Sequence, residues 1–166
     1  TRRPLHEQYV VFVWNALHGD LGASFISKVP AVTLILERLP ASLELTIFSL
    51  LLALIVGIPS GMWAGLKPDA ASSKLIMGVS TLGFSVPGFW LALIMIIIFA
   101  VELGWLPSSG RGETVEVLGI KFSFLTPNGL YHLILPAFTL SLYHMALITR
   151  LVRAGVREKI YLDFIK

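Results

Sequence analysis

Apolar residues run almost without interruption from about Ala41 to Ala64, from about Leu75 to Val101, and from about Tyr131 to Thr149. As a helix the first run reaches roughly 36 Å, enough to cross about 30 Å of hydrocarbon with some tilt. The second would reach about 40 Å as one straight helix, which is too long for that core. Gly83, Pro87 and Gly88 interrupt it, so the pattern predicts a short helix to about Phe84, a break, and a span proper from Pro87. The third run has Pro136 near its start and carries Thr139, Ser141 and Tyr143, which either line a polar pathway or bond to neighbouring backbone.

Outside these runs the pattern is shorter and periodic. Tyr9, Phe12, Val13 and Ala16 share one helical face, predicting a short surface helix that Gly19-Asp20-Leu21-Gly22 ends. A second short helix is expected after Lys28, with Pro30 in its first turn and an apolar stripe of Val29, Val32, Ile35, Leu36 and Leu39. It would lie either in the membrane interface or against the protein's own outer surface. Pro59 is expected to kink or end the first span, and Lys67-Pro68-Asp69 is turn chemistry. Between residues 111 and 128 the alternation of Val115, Val117, Phe122 and Phe124 around Gly119 predicts a small hairpin outside the membrane.

Composition agrees with the spans. Of 166 residues 55% are hydrophobic and only 14% charged, with mean hydropathy +0.80, where soluble domains carry about 25% charged residues. The predicted class is an all-α polytopic membrane protein, divided into an extracytoplasmic or interfacial region (1–38) and a transmembrane core (39–166). Cysteine is absent, which excludes disulfides and thiolate metal sites, and a scattered net charge of +3 gives no reason to expect nucleic acid. The chain opens Thr1-Arg2-Arg3-Pro4 without Met or a signal-type apolar stretch, and reads as an internal fragment.

Charge also orients the chain. Five Lys/Arg follow Thr149, two Lys and one Asp lie in the loop 66–74, and the loop 102–128 sets Arg111 and Lys121 against three Glu. The positive-inside rule therefore places the tail and the loop 66–74 in the cytoplasm, and the hairpin loop and N-terminal region outside. The Arg2-Arg3 pair weighs the other way and is outnumbered by the tail. Arg150, Arg153 and Arg157, at i, i+3 and i+7, line one face of a helix that leaves the bilayer near Thr149, and Gly155 is a weak point at which it could turn. They anchor to lipid phosphates or sit between subunits.

Gly57, Gly61 and Gly65 fall at i, i+4 and i+8 on the first span, a small-residue face for close packing against the second span or a second subunit. Two ionisable groups lie inside spans: Glu44, one turn into the first, and His144, toward the inner end of the third. Both are candidate pathway residues, since a charge in hydrocarbon is costly. The alternatives are a capping or snorkelling role for Glu44 and a neutral interhelical hydrogen bond for His144. Gly78-Val79-Ser80-Thr81-Leu82-Gly83 does not have nucleophile-elbow spacing, His132 and His144 lack a zinc-motif companion, and no glycine-rich phosphate loop occurs. No catalytic, cofactor or metal residue is therefore assigned, and the chain is not expected to be an enzyme.

Several blocks of the chain resemble a known family. They are Gly19-Asp20-Leu21-Gly22-Ala23-Ser24-Phe25, Arg38-Leu39-Pro40-Ala41-Ser42-Leu43-Glu44, Ser85-Val86-Pro87-Gly88-Phe89-Trp90, Leu103-Gly104-Trp105-Leu106-Pro107 and His132-Leu133-Ile134-Leu135-Pro136-Ala137. With Thr149-Arg150-Leu151-Val152-Arg153 and Tyr161-Leu162-Asp163-Phe164, they are similar in identity and order to the permease subunit of dipeptide/oligopeptide/nickel-type ABC importers. The resemblance implies a type I ABC importer transmembrane fold in a bacterial inner membrane, forming a translocation pathway for peptides or similar solutes. It implies as partners a second permease subunit, two ATPase subunits that hold ATP and magnesium, an extracytoplasmic binding protein and membrane lipid. It also implies further helices at both ends and a coupling helix that docks on the ATPase, of which Tyr161, Asp163 and Phe164 form the leading edge. The rival reading is a secondary transporter or channel, which needs clustered intramembrane acids; Glu44 alone is thin support.

Overall fold

A computed structural model describes residues 4–164, for 163 and 164 the helical backbone only. The chain divides into two compact units, one ending at Ser42 and the other beginning at Leu43. In the first, α1 (Leu5–Leu17) buries none of its residues. A tight turn comes next, in which the Asp20 carboxylate accepts from the Gly22 N–H at 2.8 Å and Ala23 bridges to Pro30.

α2 (Ala31–Leu66) is one helix of 36 residues. The short interfacial helix expected after Lys28 and the first span are thus continuous, and neither Pro40 nor Pro59 ends the helix. At about 54 Å it exceeds a hydrocarbon core. Its buried residues are Glu44, Ser49, Ala53, Gly57, Gly61, Ala64 and Gly65, one face built almost wholly from small side chains. Ile47, Leu51, Ile55 and Leu66 stay outside. An interior of small residues under an exterior of large apolar ones is the arrangement lipid favours, because packing rather than water exclusion then holds the helices together.

The partner of that face is α5 (Pro127–Phe164), so the contact expected with the second span is made with the third. A Cβ on Gly57 would lie 2.9 Å from Ile148 Cγ2, one on Gly61 2.6 Å from the Thr149 carbonyl oxygen, and one on Gly65 2.8 Å from Val156 Cβ. The Thr149 hydroxyl donates to the Gly57 carbonyl at 3.3 Å. α5 also continues through Gly155 without turning. A helical glycine costs only about 1 kcal/mol relative to alanine, too little to break a helix of this length.

Between these two helices in sequence, α3 (Ala71–Ser85) and α4 (Gly88–Ile96) with its π-helical extension (Ile97–Glu102) meet at a bend of 105°. Pro87 has no N–H to continue α3, and the Thr81 and Ser85 hydroxyls donate back to the Met77 and Thr81 carbonyls, each at 2.8 Å, which favours bending. Among the described residues two helices are long and apolar enough to cross a membrane, three with the bent pair counted as one broken span. A two-stranded ribbon, β1 (Val115–Val117) paired antiparallel with β2 (Ile120–Phe122), completes the second unit.

Gly61→Leu is expected to overpack the α2–α5 contact and lower stability by about 1–3 kcal/mol or more. The control is Gly78→Ala, where a Cβ meets nothing within 4 Å. Thermal unfolding in detergent compares them, and a Gly61→Leu protein that melts with wild type would discard this packing account.

Candidate functional site

The break between α3 and α4 leaves a groove of about 640 Å³ against α5. Gly83 lets α3 approach α5, a Cβ there lying 3.6 Å from Ala146 Cβ. Past the bend α4 still packs on α5, and Leu91, Ala92 and Ile96 line the groove together with Leu135, Pro136, Thr139 and Leu140. Pro107 to Gly110 and His132 close one end, Tyr143 and His144 the other. Its lining includes no Asp, Glu, Lys or Arg.

Three polar side chains of the groove, Thr139, His132 and His144, are held by α5 itself. Thr139 donates its hydroxyl to the Leu135 carbonyl at 2.8 Å. His132 and His144 each place Nδ1 against the carbonyl four residues earlier, at 2.9 Å from Asn128 and 3.0 Å from Leu140. A carbonyl only accepts, so Nδ1 is the donor in each of these contacts. Tyr143 stacks on Phe84 with ring centroids 5.2 Å apart and meets His144 edge-on at 5.7 Å. The wall is therefore apolar, with hydroxyl and imidazole groups and no fixed charge.

Of the two candidate pathway residues, the structure places His144 on the groove wall and Glu44 elsewhere. Glu44 is 5% exposed. Its Oε1 accepts from the Ser123 N–H at 2.7 Å, and its Oε2 accepts from the Ser123 hydroxyl at 2.5 Å and from Arg111 Nη2 at 3.3 Å. Arg111 also donates through Nη2 to the Lys121 carbonyl and through Nε to Ser123 Oγ. The carboxylate is thus neither a helix cap nor a snorkelling group. It fastens the loop that carries the ribbon to α2, with Phe48, Phe124 and Phe122 packed alongside.

The same loop is tied to the start of α5. The Glu113 N–H donates to Asn128 Oδ1 at 2.9 Å, the Thr126 hydroxyl to the Glu113 carbonyl at 2.9 Å, and the Tyr131 hydroxyl to the Trp105 carbonyl at 2.8 Å. Gly112 (φ +74) and Gly129 sit where a Cβ would collide with Asn128 and Ser123 respectively. Sequence reasoning missed Arg111 and Ser123. A signal existed in Arg111, the single arginine of the loop 102–128, since a carboxylate inside a span calls for a cation.

The other sequence candidates lie apart from the groove. Ser141 is buried and donates to the Phe138 carbonyl at 2.6 Å. Gly57, Gly61 and Gly65 pack helices. Tyr161 is exposed at the far end of α5, under the Arg157 guanidinium at 6.0 Å. The side chains of Asp163 and Phe164 fall outside the described residues. Among the described residues no cluster of His, Asp and Glu could hold a metal ion.

Residues 57–166 match the family model described as binding-protein-dependent transport system inner membrane component. The chain is 36% identical over 164 residues to the oligopeptide transport system permease protein AppB of Bacillus subtilis, covering 98% of this chain and 50% of that protein. It is 34% identical over 176 residues to the di/tripeptide transport system permease protein DppB of Pseudomonas aeruginosa, with 99% and 52% covered. It is 34% identical over 177 residues to the probable D,D-dipeptide transport system permease protein DdpB of Escherichia coli, again with 99% and 52% covered. The chain spans about half the length of these curated relatives.

Glu44→Ala removes the acceptor of three donors and leaves Arg111 facing no charge, with an expected loss of about 3–5 kcal/mol. Glu44→Gln keeps one carbonyl acceptor and should lose less. Hydrogen exchange at the Ser123 amide reads the effect locally. Unchanged protection in Glu44→Ala would show that the carboxylate does not hold this loop.

Proposed function

The chain belongs to the family of binding-protein-dependent transport system inner membrane components, and from that premise we propose that it forms part of the peptide translocation pathway of an ABC importer. The observation that carries the reading is the uncharged groove against α5, lined, Leu45 apart, by residues of the part of the chain that matches the family. A peptide bond offers one donor and one acceptor per residue. Hydroxyls of Thr139 and Tyr143 and the imidazoles of His132 and His144 can exchange hydrogen bonds with it while apolar walls tolerate varied side chains. Three relatives named for peptides of different kinds support peptides as the solute class.

In this reading the protein resides in a bacterial inner membrane and catalyses no reaction itself. ATP hydrolysis falls to two ATPase subunits, and a second permease subunit and an extracytoplasmic binding protein complete the importer. Residues 1–38 and the loop 104–128 face outward and receive the binding protein, in keeping with the charge bias of the loops. The distal end of α5, with Tyr161, Asp163 and Phe164, approaches the ATPase and carries nucleotide-driven movement to the spans.

Two experiments test this. The chain has no cysteine, so single cysteines at Thr139 and His144 report water access without background. Both should react with a small aqueous thiol reagent, and a transported peptide should slow the reaction; labelling unaffected by peptide would refute the pathway. A cysteine at Asp163 should crosslink to the ATPase at some stage of the nucleotide cycle. Capture of permease alone throughout would refute the coupling role.

A further inference from the structure

The turn of the β1–β2 ribbon breaks two local rules at one residue. Leu118 and Gly119 join the strands with φ of +53° and +79°. Positive φ at both central residues is the mark of a type I′ hairpin turn, where Asn-Gly is preferred. Gly119 adopts it freely, whereas the Cβ of a leucine makes it costly. Leu118 is also 97% exposed, so no contact within the chain offsets that cost. Among the described residues one other non-glycine has positive φ, Lys28, and its ammonium group gains from water. A large apolar side chain on a strained backbone and given to solvent is an outlier that points to function.

The neighbouring side chains continue the patch. Strand residues alternate between faces, so the pairs Val115–Phe122 and Val117–Ile120 share one face and Glu116–Lys121 the other. Phe122 packs edge-on against Phe124 with ring centroids 5.5 Å apart, while Val115, Val117 and Ile120 stay largely open. At the end away from the turn, Arg111 donates to the Lys121 carbonyl and the Ser123 N–H donates to Glu44. The ribbon is thus a stiff stem with an aliphatic tip. A stiff tip loses little freedom on binding, so its apolar contact is expressed as affinity.

The charges of the loop favour a protein over a lipid surface as the occupant. Residues 102–128 carry Glu102, Glu113 and Glu116 against Arg111 and Lys121, and Arg111 is paired with Glu44. Segments that lie in a bilayer surface have the opposite bias, with Lys and Arg on the polar face to meet anionic headgroups. Transport in this family depends on a binding protein. We propose that Leu118, flanked by Val117 and Ile120, is the anchor by which this loop docks into an apolar pocket on the extracytoplasmic binding protein. The inference rests on the reading in which the loop 104–128 faces outward and receives that protein, and adds to it the side chain that carries the contact.

The test uses the full-length permease assembled with its partner subunits in lipid nanodiscs, with the purified binding protein of the same importer added. Leu118→Asp should weaken binding of that protein about tenfold, as expected for loss of a buried leucine contact. Leu118→Asn separates docking from folding. Asparagine suits positive φ, so this permease should melt no lower than wild type while its affinity for the binding protein falls by a similar factor. Lys121→Gln, on the other face of the ribbon, should bind as wild type does. A photoreactive residue in place of Leu118 should crosslink to the binding protein. Wild-type affinity in Leu118→Asn, or a lower melting point there, would overturn the proposal. So would crosslinking from position 118 to lipid or to the second permease alone, while photoreactive groups at Ser24 or Ser109 capture the binding protein; the outward-facing reading would then stand without it. Capture from none of the three positions would overturn that reading as well.

Discussion

A single carboxylate fixes the architecture at one end of this protein. Glu44 lies in a spanning helix, where an unpaired charge costs several kcal/mol, and its partners come from a segment 67 and 79 residues further along the chain. Because the Ser123 N–H and hydroxyl and the Arg111 guanidinium all converge on it, the loop between them has little freedom. Arg111 in turn occupies the Lys121 carbonyl, so the base of the ribbon is held from within. The segment after the ribbon is constrained as well. Thr126 and Asn128 bond to Glu113, and α5 must begin there. The position of His132 at the mouth of the groove is a downstream consequence of where Glu44 sits.

Further into the bundle, close packing takes over from polar attachment. Three glycines, with Ala53 and Ala64, let the α2 backbone approach α5, and Thr149 contributes a hydrogen bond across the gap. In lipid such contacts matter because exposed leucines gain nothing by turning inward. α2 and α5 therefore form a tight pair, while α3 and α4, on either side of the bend, both pack on α5 and leave the groove between them. The groove exists because Pro87 cannot donate the hydrogen bond that would keep the second span straight.

The spans, their order and the broken second span were legible in the sequence, since each rests on local properties: run length, hydropathy and the chemistry of proline and glycine. The ribbon was legible for the same reason, through alternation around Gly119. Family membership, too, was readable from short blocks in order, because residue identity carries it directly. Contacts between distant segments were not readable. The glycine register announced a close packing face, yet it did not say which helix would fill it, and in the structure that helix is α5. The charge of Glu44 announced a need for a partner, and several polar roles were compatible with its position. Only folding brought Arg111 and Ser123 within hydrogen-bonding distance and so separated Glu44 from His144, one fastening a loop and the other facing the groove. Periodicity and composition act over a few residues, so the sequence alone determined the apolar runs, the ribbon and the membrane setting, but not that the helix after Lys28 joins the first span or that α5 runs on through Gly155; pairing across more than sixty residues is decided by shape and electrostatics in three dimensions, so the tertiary structure decided which side chains meet.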